Sequence, residues 1–150
     1  MSKSIKTKFL TRYPGPFAYQ DGSDGVDATF DIFCRTTGDH IASTFYWDAR
    51  LESELEANVI TGLLNTLVPD EEHDWISSKH ELSDSKIAAF RGMHPGPYRS
   101  AKCNCEYRGP GYEVRSETTS NCVVYVYDRS YRGQARLVTA VIAELLNAMQ

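Results

Sequence analysis

Apolar positions after Asp48 fall at Leu51, Leu55, Val59, Ile60, Leu63, Leu64 and Leu67, a three-to-four-residue spacing that lines one stripe of a helix. The stripe returns 82 residues later as Leu137, Val141, Ile142, Leu145, Leu146 and Met149, so two amphipathic helices are expected. Asp48 in the first, and Asp128 or Ser130 in the second, are suited to cap them, because their side-chain oxygens accept the backbone N–H bonds orphaned at a helix start. Ahead of each helix the period shortens to two. Ala28, Phe30, Ile32 and Cys34 alternate with Thr29, Asp31 and Arg35, and Ile41–Trp47 follows beyond Thr36-Thr37-Gly38-Asp39, which predicts a hairpin. Tyr112–Ser116 and Asn121–Tyr127 take the same places around Glu117-Thr118-Thr119-Ser120. The stretch from Asn121 to Tyr127 is apolar on both faces, the mark of a central strand or of one covered by a partner.

The landmarks recur in order. Tyr13-Pro14-Gly15-Pro16-Phe17 returns 81 residues later as His94-Pro95-Gly96-Pro97-Tyr98, and Thr36-Thr37 returns as Thr118-Thr119. Tyr46-Trp47-Asp48 resembles Tyr125-Val126-Tyr127-Asp128, and Leu63-Leu64-Asn65-Thr66-Leu67 resembles Leu145-Leu146-Asn147-Ala148-Met149. A short strand beside each Pro-Gly-Pro bend completes the unit. The expectation is an α+β chain of two tandem β-β-β-α-like repeats, 1–68 and 85–150, joined by an acidic linker over 69–84. Antiparallel sheet and two packed amphipathic helices form one compact domain.

These motifs resemble a group of short phage-encoded proteins with an N-terminal Pro-Gly-Pro-aromatic motif and a C-terminal helix containing an Ala-Asn-Ala-Arg-Leu-Ile-like run before Leu-Leu. The first unit offers Glu56-Ala57-Asn58-Val59-Ile60 with Leu63-Leu64, and the second Ala135-Arg136-Leu137-Val138 with Glu144-Leu145-Leu146. Phe17 and Tyr98 stand where the group usually has Trp. The resemblance implies a phage or prophage origin and, by association, a counter-defence role in the host cytoplasm.

Composition narrows the classes. With 150 residues and 41% hydrophobic content the chain can bury a core, and no apolar run approaches the ~20 residues of a membrane span. The N-terminus has charge without the apolar stretch of a secretory signal. Cys34, Cys103, Cys105 and Cys122 therefore read as reduced thiols of a cytoplasmic protein. A net charge of −4 weighs against broad binding to nucleic-acid backbones.

No catalytic motif stands out: there is no Walker loop, nucleophile elbow or dinucleotide fingerprint. Cys103-Asn104-Cys105 lacks the usual Cys-x₂₋₄-Cys spacing of a structural zinc site, so neither metal nor cofactor is expected. Asp70-Glu71-Glu72-His73-Asp74 reads as a solvated acidic segment.

Arg129, Arg132 and Arg136 are the more informative feature. All three fall at the start of the second helix, where the helix dipole is positive and cations need an offset. Two offsets compete. Glu52, Glu54 and Glu56 at the start of the first helix could pair with them across the two units. Alternatively a phosphate-bearing ligand sits on the arginine forks and the free helix N–H groups, with Tyr125, Tyr127 and Tyr131 placed to stack on a base. The second offset leads to a non-enzymatic binding protein that sequesters an anionic nucleotide-derived signal, as a homo-oligomer without a membrane or nucleic-acid partner. Direct inhibition of a host defence protein is the competing function.

Overall fold

A computed structural model describes residues 2–22, 28–46, 50–69, 82–105, 109–127 and 134–149. The elements are α1 (Ser2–Arg12), β1 (Phe17–Asp21), β2 (Ala28–Cys34), β3 (His40–Tyr46) and α2 (Arg50–Asn65), then α3 (Asp84–Met93), β4 (Tyr98–Cys105), β5 (Gly109–Ser116), β6 (Cys122–Tyr127) and α4 (Gln134–Ala148). The protein is α+β, with a six-stranded antiparallel sheet in the order β1-β2-β3-β6-β5-β4. The two halves meet at β3 and β6, which places the doubly apolar Asn121–Tyr127 stretch at the centre. Helices α1 and α3 were not part of the sequence expectation. They make the order helix, three strands, helix in residues 2–65 and again in 84–148.

Alternation along each strand divides the sheet into two faces. Phe17, Tyr19, Phe30, Ile32, Cys34, Ala42, Val114, Val124 and Val126 are buried in one core cluster with Ala57, Val59, Ile60, Leu63 and Leu64 of α2 and Val138, Val141, Ile142, Leu145 and Leu146 of α4. Complete burial of each such side chain is worth about 1.5–3 kcal/mol, so the two stripes read in the sequence hold the layers together. Helix packing is crosswise: α1 lies on α4 and α3 on α2. Lys6 of α1 pairs with Glu144 of α4 at 3.8 Å, and Lys86 of α3 donates to Asn58 Oδ1 of α2 at 3.3 Å.

The recurring sequence landmarks have recurring structural tasks. Asn65 Oδ1 accepts from Phe17 N at 2.7 Å while its amide donates to Phe17 O at 2.9 Å, clamping the strand that follows the first Pro-Gly-Pro. Asn147 does the same to Tyr98, at 2.9 and 2.8 Å. The Thr36 hydroxyl donates to Gly15 O and that of Thr118 to Gly96 O, tying each hairpin turn to the bend. Gly15 has φ +74°, and a Cβ there would lie 2.6 Å from Val68 Cγ2, so the first bend requires glycine at that position. Both Gly15-Pro16 and Gly96-Pro97 are cis.

Candidate functional site

At the start of α4, Gln134 is the first helical residue and Arg136 the third. Helix starts leave N–H groups without intrahelical partners, and the dipole there favours an anion. Arg136 is exposed and makes no ion pair among the described residues. Gln134 is half-buried, with an Oε1 that is buried and has no hydrogen-bond partner among the described residues. Arg129, Tyr131 and Arg132 lie outside the described residues, as do the capping candidates Asp48, Asp128 and Ser130. Tyr127 ends β6, paired with Gly111. Tyr125 is fully buried beside Gly111, where an added Cβ would stand 2.7 Å from its hydroxyl, so its ring is part of the packed sheet.

Two of the three glutamates that could have offset these arginines are engaged elsewhere. Glu54 accepts from the Tyr19 hydroxyl at 3.1 Å, and burial together with the nearby Glu54 charge pushes that phenol up to about 12. Glu56 is buried and hydrogen-bonded to His94 through Oε2 and Nε2. Burial raises the Glu56 carboxyl far above the usual carboxylate range, with the Glu52 charge adding to it, and burial lowers the His94 imidazole. Both directions disfavour charge, so the pair is a neutral carboxylic acid donating to a neutral imidazole. Glu52 remains exposed.

A polar row crosses the sheet on the face away from the helices. Gln20, Asp31, Ser43, Tyr125, Glu113 and Ala101 are register partners in succession over all six strands. Ser43 donates to Asp31 Oδ1 at 2.8 Å, and His40 Nε2 lies 2.9 Å from Ser43 Oγ and 3.5 Å from Asp31 Oδ1. Contact with His40 first, and the hydrogen bond from Ser43, hold the Asp31 carboxyl below its usual range. Serine, histidine and aspartate thus meet, in the wrong roles for nucleophilic catalysis. The serine proton is directed at Asp31, so His40 Nε2 must donate to Ser43 Oγ and cannot withdraw its proton. Across the centre Arg115 reaches Glu113 Oε1 through Nε at 2.8 Å and through a terminal nitrogen at 2.5 Å. Each carboxylate in the row is matched by a neighbouring donor, which is the arrangement of a satisfied polar network.

Cys34, Cys103 and Cys122 are not joined in disulfides, and Cys34 is buried in the core. Among the described residues no group of three or more His, Cys, Asp or Glu could hold a metal ion, and no helix is long and apolar enough to cross a membrane. The row and the Glu56–His94 pair were beyond sequence reasoning: cross-strand register and a contact between residues 38 positions apart are tertiary facts. No protein-family model, curated protein or solved structure matches the chain.

Proposed function

We propose that this chain is a non-enzymatic binding protein that captures an anionic nucleotide-derived molecule at the start of α4. The observation that carries the reading is the engagement of Glu54 by Tyr19 and of Glu56 by His94, which takes two of the three internal counter-charges away from the arginine cluster. With Arg136 facing solvent and only Glu52 of the three glutamates left exposed, these engagements favour an external anion as the offset.

Gln134 constrains the ligand further. Two helical steps lead from it to Arg136, which is about 200° of rotation, so the two side chains leave opposite sides of the axis. A ligand touching both must lie across the helix end, over the free N–H groups. The unfilled hydrogen-bond position at Gln134 suits a base edge or a sugar hydroxyl in either amide orientation. A phosphate over the N–H groups with a nucleoside part beside it meets these demands.

The recurrence of the bends, the threonine ties and the asparagine clamps supports descent of the two halves from one duplicated unit. The counter-defence role by sequestration is part of the proposal and rests on the resemblance of the sequence motifs to short phage-encoded proteins. A panel of cyclic nucleotides and ADP-ribose derivatives, read by melting-temperature shift, tests it. A shift is expected for at least one member, and no shift for any member would move the host-protein inhibitor into first place.

A further inference from the structure

His94 closes α3 and opens the bend into β4. Its N–H donates to Phe90 O at 2.8 Å, its carbonyl accepts from the Tyr98 hydroxyl at 2.5 Å, and its ring lies 5.5 Å from that of Phe90. The imidazole then reaches across to Glu56 of α2. Both side chains are sealed from solvent, at 0% and 1% exposure, and Glu56 Oε1 has no hydrogen-bond partner among the described residues.

The other half closes the equivalent corner differently. Tyr13 stands where His94 does, its N–H donating to Phe9 O at 2.7 Å, and Val138 stands 82 residues beyond Glu56. Both are buried. The fold therefore makes this joint once without a carboxyl–imidazole pair, and the carboxyl and imidazole are an addition that packing alone does not require.

A buried carboxyl and imidazole joined by one hydrogen bond are neutral overall when they share one exchangeable proton. A second proton leaves a buried cation, and loss of the first leaves a buried carboxylate; either costs several kcal/mol unless the site opens. We propose that the Glu56–His94 pair is a proton-dependent latch, which holds α3 and the Pro95-Gly96-Pro97 bend on α2 and releases them when the shared proton leaves. The charged and titratable groups on the surrounding elements include Glu52 and Glu54 on α2, Asp84, Lys86 and Arg91 on α3, Tyr19 and Asp21 on β1, Tyr98, Arg99 and Lys102 on β4, and Arg136 and Glu144 on α4. Lys86 is turned to Asn58, Glu54 to Tyr19 and Glu144 to Lys6, while Glu52, one turn from Glu56, favours keeping the proton. Release alters an open cleft of about 450 Å³ lined by Ala88, Arg91, Gly92, Pro95 and Gly96, so the shape of that cleft follows pH.

Amide hydrogen exchange of the full chain, expressed as protection factors between about pH 6 and about pH 9, tests the latch. Protection in α3 should fall by up to about tenfold per pH unit, while α1 amides that exchange by local opening hold level, since opening of the latch releases one proton. Glu56→Gln keeps a hydrogen-bond donor towards His94 without the titration and should flatten the α3 profile. The double variant Glu56→Val with His94→Tyr, which installs the residues of the other corner, should flatten it as well. A wild-type-like slope in either variant, or a level α3 profile in the wild type, overturns the proposal.

Discussion

Glu56 and His94 face one another across the α2–α3 joint as a sealed acid–base pair, while the corresponding corner of the molecule carries Val138 and Tyr13. Global stability should register this difference. The unfolded chain binds two protons on the pair below about pH 4.5, one between there and about pH 6.5, and none above, whereas the folded pair holds one from about pH 4 to about pH 10. Glu56, with its raised pKa, contributes most below 4.5 and loses that contribution as pH rises towards about 10. His94, with its lowered pKa, contributes most above 6.5 and loses that contribution as pH falls towards about 4. Their sum is a plateau of greatest stability between those two ordinary values and a decline on the alkaline side of up to about 1.4 kcal/mol per pH unit. Urea denaturation at a series of pH values checks this, and Glu56→Gln should remove most of the alkaline decline.

Asn65 and Asn147 perform the same double clamp in different surroundings: Asn65 is buried and Asn147 exposed. Asn65→Ala leaves both polar groups of Phe17 without partners in a dry site and should cost about 2–4 kcal/mol, whereas Asn147→Ala should cost about 1 kcal/mol because water reaches Tyr98. Chemical denaturation of the two variants measures the difference. Equal losses would mean that the environment of the clamp is immaterial.

Gly111 allows β5 to lie close to β6. An added Cβ would sit 2.4 Å from Val126 O and 2.7 Å from the Tyr125 hydroxyl. Gly111→Ala should therefore destabilise by about 1–3 kcal/mol through overpacking. Combining it with Tyr125→Phe should recover part of that loss, with the clash against Val126 O remaining. Thermal unfolding of the two variants is sufficient to decide.

The parts of the fold written in the sequence are those carried by local period or by literal recurrence. Leu63-Leu64-Asn65 and Leu145-Leu146-Asn147 could be matched by eye, and the matched asparagines are the clamps; Thr36 and Thr118 are likewise the matched ties. Helix α1 was hidden because Ile5, Phe9 and Leu10 are sparse among Lys3, Lys6 and Lys8, too few to form a visible stripe. Helix α3 is ten residues long and depends on burial of Phe90 and on the Ser83 cap, whose oxygen accepts from Lys86 N. At the site, the charge excess at the start of α4 was legible. What happens to Glu54 and Glu56 was not, because their partners Tyr19 and His94 arrive from β1 and from the far end of α3.

Anion capture at the start of α4 is the central claim, and native mass spectrometry of freshly purified wild-type protein beside Arg136→Glu tests it most directly. Arg136 is exposed, so its substitution should leave the folded mass and melting temperature within the small range typical of surface changes. The wild type should retain, or take up from the nucleotide panel, a phosphate-bearing molecule at a fixed ratio to protomer, and Arg136→Glu should lose it. A ligand held equally by both proteins, or a wild type that binds no member of the panel, would contradict the account.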